Sequence, residues 1–306
     1  MLNELTLFGN LDRVQTAIDR LKAFAELAEA ASPNGYIVLD SGGKDSGTIK
    51  ALAFLSGVRF EIVHNHTTAD HPLTVRFVQE EQRRWRESGI PYLVKYPCYK
   101  GKRTSMWDMI VLKGPPTRIR RWCCDVLKKN GAEKGRFAVS GVRWAESVRR
   151  KNSRHLYEAP VNAKTFVGFH SAEDAKGYLE REPTRLARGR FMVNPIIDWT
   201  DEDVWEFHRR YKLPYNPLYD MGYRRVGCVG CPMGDNKREL EKMPEFKELY
   251  IRAFQRYLDR RPDLTETHFW RDGNSLYMWW AENSKIVNGR QLRLDSDGVM
   301  GGMKNE

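Results

Sequence analysis

The chain has no long hydrophobic run. Among its 306 residues no stretch of about 18 apolar residues occurs, although a membrane-spanning helix needs roughly that length. The first residues include Glu4, Asp12 and Asp19, whereas a secretory signal peptide carries an uninterrupted apolar segment. The sequence also contains no internal repeat and no low-complexity linker. We therefore expect no membrane partner and a cytoplasmic location.

Cysteine is scarce, and it occurs in pairs. Four of the five cysteines fall into two pairs, because Cys123 adjoins Cys124 and a C-x-x-C motif joins Cys228 to Cys231. Adjacent cysteines form a disulfide only with strain, and nothing in the sequence indicates an oxidising compartment. Four thiolates can bind zinc or an iron–sulfur cluster. Zinc sites usually separate the ligands of a pair by about two to four residues. The adjacent pair therefore favours a cluster over zinc and over unliganded thiols.

The fifth cysteine, Cys98, lies apart from both pairs in the sequence Tyr-Pro-Cys-Tyr. Two interpretations stay open. The side chain can be a partly buried small apolar group, or it can be a thiol that carries sulfur or resolves a mixed disulfide. On the second interpretation Cys98 is a candidate catalytic residue.

A glycine-containing turn follows the apolar segment 37–39 and precedes a helical pattern that continues to Leu55. Two glycines let the backbone turn tightly and bring N–H groups close to an anion. The helix N-terminus adds partial positive charge, and Lys44 adds a full charge. The spacing differs from the Walker loop. The sequence therefore predicts a pyrophosphate-binding loop of six residues: Ser41, Gly42, Gly43, Lys44, Asp45 and Ser46.

The order of strands and helices predicts an α/β fold. Apolar segments predict strands at 36–40, 59–64, 91–96, 136–141 and 191–197, with helical patterns at 44–56, 72–88, 105–112 and 121–130. This alternation implies a parallel twisted sheet with helices on both faces, a Rossmann-like arrangement. Thr200 with Asp203 three residues later is typical of a capped helix start. The loop at 41–46 would lie at the carboxyl ends of the strands, where ligands bind in such sheets.

The chain divides into three predicted parts. Apolar residues recur at helical spacing from Leu11 to Ala25, so residues 1–30 are expected to form an N-terminal helix. Residues 31–235 would form the nucleotide-binding domain and carry the paired cysteines. Residues 236–306 would form a helical extension, with helices at 239–258 and 275–286.

Positive charge is concentrated in one part of the chain. Residues 76–154 contain 21 Lys and Arg against 7 Asp and Glu, a net charge of +14, whereas the whole chain carries +11. Such clustering is typical of a protein with a polyanionic partner. The alternative is a solvated basic face whose arginines serve nucleotide phosphates and cysteine thiolates. We favour nucleic acid, either DNA or tRNA.

Several segments together resemble a known family. The loop at 41–46 resembles that of the N-type ATP pyrophosphatases, the adenine nucleotide alpha hydrolase-like superfamily, which split ATP between its α and β phosphates. Residues 139–149, Val-Ser-Gly-Val-Arg-Trp-Ala-Glu-Ser-Val-Arg, resemble the segment that contacts the nucleotide there. Residues 194–231 closely resemble the phosphoadenylyl-sulfate (PAPS/APS) reductase family. The resemblance covers residues 30–235.

The resemblance implies ligands and roles for particular residues. It implies ATP with Mg²⁺ on the loop, with Lys44, Asp45 and Arg143 acting on the phosphates and Gly141 beside Arg143 contacting the nucleotide. The spacing of the cysteine pairs is similar to that of assimilatory adenylyl-sulfate reductases. It implies a [4Fe–4S] cluster on four ligands: Cys123, Cys124, Cys228 and Cys231.

Two reactions fit the family. Its reductases attack sulfur with a cysteine in a motif near the C-terminus, but no cysteine follows Cys231 in this chain. The intact loop therefore favours ATP-dependent sulfur transfer: an acceptor, which we expect to be nucleic acid, is adenylated and sulfur then displaces the adenylate. This chemistry is closest to that of DNA phosphorothioation sulfurtransferases. A cysteine desulfurase, or another sulfur or electron donor, would be the partner. Reduction of adenylyl sulfate or phosphoadenylyl sulfate is the alternative, with Cys98 as its substitute thiol.

Overall fold

The computed structural model describes residues 2–6, 9–128, 133–162, 165–267 and 270–283. The strands in these ranges are β1 (Asn3–Thr6), β2 (Gly9–Asp12), β3 (Tyr36–Asp40), β4 (Phe60–Asn65), β5 (Tyr92–Lys95), β6 (Cys98–Tyr99), β7 (Lys102–Arg103), β8 (Phe137–Val139), β9 (Tyr157–Pro160), β10 (Phe166–Phe169) and β11 (Phe191–Val193). The α-helices are α1 (Arg13–Lys22), α2 (Ala25–Ala31), α3 (Lys44–Ser56), α4 (Pro72–Glu87), α5 (Met106–Lys113), α6 (Val148–Ser153), α7 (Ala172–Arg181), α8 (Asp201–Arg210), α9 (Asn236–Glu241), α10 (Pro244–Asp259), α11 (Pro262–Thr267) and α12 (Gly273–Asn283). Shorter helical turns are a π-helical turn at Cys124–Lys128 and 3₁₀ turns at Trp144–Glu146, Pro183–Arg188 and Pro217–Tyr219.

The chain forms two compact units. The first, which we call the sheet unit, comprises Met1–Asn65, Pro72–Lys95 and Ala132–Val226. The second, the helical unit, comprises His66–His71, Tyr96–Gly131 and Gly227–Glu306. Short segments of the helical unit thus interrupt the sheet unit in sequence.

The sheet unit contains a seven-stranded sheet with the strand order β10-β9-β11-β8-β3-β4-β5. The five strands from β11 to β5 are parallel, which confirms the predicted α/β fold. Val38 lies in the larger apolar cluster of this unit, whereas its neighbour Ile37 lies in a smaller one. Since successive side chains of a strand point to opposite faces, both faces of this strand are buried. The antiparallel strands β9 and β10 at one edge were not expected from the sequence.

The N-terminal segment differs from the expected single helix. The segments Asn3–Thr6 and Gly9–Asp12 pair as the antiparallel strands β1 and β2, and two helices follow instead of one. The cause lies in the Asp12 carboxylate, which accepts hydrogen bonds from the N–H groups of Val14 and Gln15 at 2.9 and 3.0 Å. This N-cap fixes the start of α1. From there the predicted spacing is right, because Ala17 and Leu21 are buried.

The C-terminal helices of the helical unit agree with the expectation in part. The predicted helix over 239–258 is divided between α9 and α10, because Pro244 begins a new helix at its first position. The helix predicted over 275–286 corresponds to α12, and residues 284–286 lie outside the described residues. In place of a helix over 121–130, the described part of that range contains the π-helical turn. Among the described helices, none is long and apolar enough to cross a membrane.

A buried ionic network connects the strands and helices of the sheet unit beneath the loop at 41–46. Lys50 on α3 is 1% exposed, and its Nζ lies 3.1 Å from Asp40 at the end of β3 and 2.7 Å from Glu81 on α4. Tyr92 on β5 donates its hydroxyl to Asp40. Burial alone would raise the pKa of Asp40, but Lys50 and then His64 hold it well below its usual range. Asp40 is therefore a buried carboxylate in its charged form.

Replacing Lys50 by methionine tests this network. The substitution keeps the length of the side chain but leaves Asp40 and Glu81 without their shared cation, so we expect Lys50→Met to reduce the free energy of unfolding by about 3–5 kcal/mol. Urea unfolding measures the loss. The exposed Lys22 on α1 provides the control, and Lys22→Met should change stability by less than about 0.5 kcal/mol. An equal effect of the two substitutions would contradict the network.

Candidate nucleotide and cysteine sites

The buried side chain of Asp40 fixes the loop at 41–46 of the sheet unit through hydrogen bonds. One carboxylate oxygen of Asp40 accepts hydrogen bonds from the N–H of Gly42 at 2.8 Å and from the hydroxyl of Ser46 at 2.7 Å. Gly42 has a φ of +71°, and a Cβ there would lie 3.0 Å from the methyl group of Thr74. Both facts require glycine at this position. The loop is thus fixed by backbone conformation and by a buried charge.

Not every N–H group of the loop is available to a ligand. Gly43 donates to the Ser46 hydroxyl at 3.2 Å, and Lys44 donates to the Tyr219 hydroxyl at 3.0 Å. In the part of the chain that the structure describes, the N–H groups of Asp45 and Ser46 have no acceptor. They belong to the first turn of α3, where N–H groups have no partner within the helix. These two donors, rather than those of the glycines, are the ones that can bind an anion.

Two cations and two carboxylates lie at the start of α3. The Lys44 ammonium lies 3.5 Å from Asp45 and 3.2 Å from Asp201. Arg143 donates from Nε to Asp45 at 2.7 Å and from Nη2 to Asp201 at 2.5 Å. We call this set the charge quartet. Its charges sum to zero, so an incoming phosphate must compete with the carboxylates for both cations.

Arg143 is enclosed by protein groups. It is 1% exposed, and its remaining guanidinium nitrogen, Nη1, donates to the backbone carbonyl of Trp199 at 3.2 Å. All three nitrogens therefore have acceptors within the sheet unit. Although partial burial would raise the pKa of Asp201, the hydrogen bond from Arg143 and the charge of Lys44 lower it. Asp201 is therefore a carboxylate at neutral pH, and its side chain is 61% exposed.

Gly141 brings the end of β8 against the first turn of α3. A Cβ at this position would lie 2.9 Å from the carbonyl oxygen of Asp45, a separation that side chains do not tolerate. Only glycine permits this approach, and the same approach places Arg143 beside Asp45. Gly141 therefore contributes through its lack of a side chain.

We expect Gly141→Ala to weaken nucleotide binding by at least about tenfold, because the added methyl group must displace the backbone that carries the Asp45 N–H. Isothermal titration with ATP and Mg²⁺ measures the affinity. The control is Gly177→Ala on α7, where the new Cβ meets only the tip of Arg181, at 3.2 Å. Unchanged affinity in Gly141→Ala would contradict the role of this close approach.

All four paired cysteines belong to the helical unit. Cys123 precedes and Cys124 begins the π-helical turn, and π-helical turns are frequent at functional sites. Cys228 reaches the segment 66–71, where its sulfur lies 3.4 Å from the Thr67 hydroxyl. Val229 donates its N–H to the carbonyl of Ala69 at 2.7 Å. The C-x-x-C segment is therefore fixed against the chain that follows β4.

The thiols lie within electrostatic reach of one another. The hydrogen bond with Cys124, burial, and the charges of Cys124, Cys228 and Cys231 raise the pKa of Cys123. The Arg121 guanidinium donates to Cys124 at 3.5 Å. Attraction to Cys228, followed by Cys124, raises the pKa of Lys128. The four thiols and the two cations thus influence one another electrostatically.

Among the described residues, no three Cys, His, Asp or Glu side chains are arranged at the separations of metal ligands. The donor set nevertheless suits a thiolate-ligated cluster, because it consists of four thiols with nearby positive charge. Cys98 is not part of this group. It lies on β6, is exposed, and has Arg103 as its cross-strand partner.

The mostly parallel sheet, with the loop at 41–46 after its central strand, defines a Rossmann-like α/β domain. The chain belongs to the phosphoadenosine phosphosulfate reductase domain family, whose model matches residues 35–233.

The relatives of this chain are similar to it over only part of their own length. An uncharacterised protein of Methanocaldococcus jannaschii is 27% identical over 72% of this chain and 46% of its own length. An adenosine 5'-phosphosulfate reductase of Allochromatium vinosum is 44% identical over 37% of this chain and 35% of its own length. The chain thus spans less than half the length of these curated relatives.

Solved structures show low similarity. A phosphoadenylyl-sulfate reductase from Candida auris, in a phosphate complex, is 14% identical with a TM-score of 0.45, covering 74% of this chain and 96% of its own. A tRNA thiolase from Methanococcus maripaludis with its [4Fe–4S] cluster is 12% identical with a TM-score of 0.34, covering 92% of this chain and 83% of its own.

Several residues of the two sites were not found from the sequence. Asp201 stands at the start of α8, in a run of acidic residues that is typical of any helix N-terminus. Tyr219 and Asn216 reach the loop from about 175 residues away in sequence. Lys50 could have been identified from the sequence, since a lysine within the apolar part of a helix needs buried acidic partners.

Proposed function

We propose that the protein is an ATP-dependent sulfurtransferase that adenylates an acceptor, with nucleic acid as the acceptor class. An oxygen of the acceptor attacks the α-phosphorus of ATP, the bond to the β-phosphate oxygen breaks, and pyrophosphate leaves with the electron pair. Hydrosulfide from a sulfur donor then displaces AMP from the acceptor. The observation that carries the proposal is the charge quartet at the start of α3, beside two N–H donors without acceptors.

The quartet suits ATP better than a sulfonucleotide. Lys44 and the N–H groups of Asp45 and Ser46 would stabilise the charge that develops on the leaving pyrophosphate. The carboxylates of Asp45 and Asp201 would hold Mg²⁺, which would neutralise phosphate charge. Both carboxylates now neutralise Lys44 and Arg143, so a divalent cation that takes them over makes both cations available. A sulfonucleotide that arrives without a metal ion lacks this compensation.

The helical unit would contribute the cofactor. Cys123, Cys124, Cys228 and Cys231 would hold a [4Fe–4S] cluster, which would supply iron for binding sulfur. Arg121 and Lys128 lie beside these thiols and would offset the negative charge of a thiolate-ligated cluster. The net charge of +14 between residues 76 and 154 supports a polyanionic acceptor.

ATP binding to the loop is tested by thermal unfolding of the anaerobically purified protein. ATP with Mg²⁺ should stabilise the wild type by about 2.7 kcal/mol at a hundredfold excess over Kd. Lys44→Ala should abolish this stabilisation and the formation of pyrophosphate, because it removes the cation at the helix N-terminus. The exposed Lys22 again supplies the control, and Lys22→Ala should respond to ATP like the wild type.

The same measurement separates the proposed function from its alternative. A reductase should be stabilised by adenylyl sulfate or phosphoadenylyl sulfate and should release sulfite in the presence of a thiol. Strong stabilisation by a sulfonucleotide together with no response to ATP would overturn the sulfurtransferase proposal. Sulfonucleotide reduction would then be the activity of this site.

The cluster has its own test. We expect about four iron atoms per chain and a brown colour after anaerobic purification, and a loss of both in Cys124→Ser and Cys228→Ser. Since the ligands close a long loop of the chain, these variants should also be less stable, by several kcal/mol. Cys98→Ser, which removes the exposed cysteine outside the group, should keep its iron. Stoichiometric zinc without visible absorbance would contradict the cluster.

A further inference from the structure

Residues 96–103 of the helical unit form a short β-hairpin. Its strands β6 and β7 are antiparallel, with Cys98 opposite Arg103 and Tyr99 opposite Lys102. The two residues between them, Lys100 and Gly101, both have positive φ, at 50° and 78°. This is the two-residue turn that fits the twist of a hairpin. The hairpin therefore holds its lysines in a defined position.

The two faces of the hairpin differ. On one face, Tyr99 is partly buried against the apolar core of the helical unit. On the other, Tyr96 remains 46% exposed. The Arg103 guanidinium lies 4.0 Å from the centre of the Tyr96 ring, and the His66 ring stacks on Tyr96 at 5.0 Å between centroids. Tyr96 thus contacts both Arg103 and His66, and we call these three groups the aromatic–arginine column.

The basic side chains of this hairpin lack acidic partners. Within the described chain, Lys100, Lys102 and Arg103 form no ion pair and donate no side-chain hydrogen bond to a protein acceptor. Helix α4 in the sheet unit is different, because its four arginines share the helix with three glutamates. Arg83 pairs with Glu87 at 4.0 Å, and Arg84 pairs with Glu81 at 3.0 Å. Positive charge is therefore available at the hairpin, whereas Arg83 and Arg84 of α4 already have acidic partners.

We propose that the hairpin at 96–103 binds an unpaired strand of the nucleic-acid acceptor. The inference rests on the proposed function and adds the binding element and the form of the acceptor. Lysines and an arginine without acidic partners attract phosphates, and the exposed Arg103 guanidinium, supported by the Tyr96 ring, offers a planar surface to unstacked bases. A duplex hides the faces of its bases, so the column has no use on double-stranded DNA.

Binding is measured by fluorescence anisotropy on labelled single strands of about 20 nucleotides, as RNA and as DNA of one sequence, and on the matching DNA duplex. We expect the wild type to bind the single strands at least about tenfold more tightly than the duplex. Comparison of the RNA and DNA strands identifies the acceptor type. Equal or tighter binding of the duplex overturns the proposal.

Two pairs of variants separate charge from stacking. Lys102→Gln with Arg103→Gln should weaken single-strand binding and make the slope of log K against log salt shallower by about 0.7 for each phosphate that the variant no longer neutralises. Tyr96→Ala should weaken binding about tenfold with the slope unchanged, whereas Tyr96→Phe, which keeps the ring, should bind like the wild type. The matched control removes the same charge from α4 with Arg83→Gln and Arg84→Gln, and it should have less than about a twofold effect on binding. Equal losses from both double variants would overturn the proposal.

A second measurement uses the unmodified protein. Cys98 lies opposite Arg103, whose guanidinium contacts the Tyr96 ring. A bound strand should therefore slow the alkylation of Cys98 by iodoacetamide at least about fivefold, read peptide by peptide in a mass spectrometer. No protection at saturating single strand overturns the location. All hairpin variants should keep the stabilisation by ATP. A hairpin variant that loses strand binding but keeps its stabilisation by ATP supports the hairpin as the binding element. Absence of ATP stabilisation in the wild type would instead refute the proposed function.

Discussion

The ion pair between Asp40 and Lys50 determines the conformation of the loop at 41–46. Asp40 ends the central strand β3 and accepts hydrogen bonds from Gly42 and Ser46 of the loop. Because Lys50 and Tyr92 donate to its other oxygen, Asp40 is a carboxylate, and a carboxylate at 6% exposure needs a cation beside it. Lys50 supplies that cation from the second turn of the helix that the loop begins. The loop, its strand and its helix are therefore joined through one buried charge.

The network also explains why α4 and β5 matter for the site. Glu81 provides Lys50 with a second carboxylate, and Tyr92 occupies the remaining position on Asp40. Buried ion pairs contribute little net stability compared with apolar residues of equal volume, but removal of one partner is costly. A network of this kind therefore defines one arrangement of the loop by penalising the others. Its value lies in the geometry of the site more than in overall stability.

The sequence was sufficient for those features that depend on neighbouring residues. The glycines of the loop, the strand before it and the capped helix start at Thr200 with Asp203 are all local, and the structure contains each of them. The parallel core of the sheet followed from the alternation of strands and helices. The edge strands β9 and β10 did not, because their pairing joins short segments with weak patterns. Asp201 could not be assigned either, since its partners Lys44 and Arg143 are distant in sequence.

Arg143 and the basic hairpin show that the sequence also cannot predict which charged side chains are paired. The sequence shows how many cations a segment has, but it does not show which of them already have partners. Arg143 has an acceptor for every guanidinium nitrogen, so in the proposed function it becomes available to a phosphate only when Mg²⁺ takes over Asp45 and Asp201. Lys102 and Arg103, by contrast, have no carboxylate partner among the described residues. Within a single basic region of the sequence, some cations thus form ion pairs with carboxylates of the protein, while others remain available to a polyanion. Net charge predicts that a polyanion binds, and only the pairing of individual side chains predicts where.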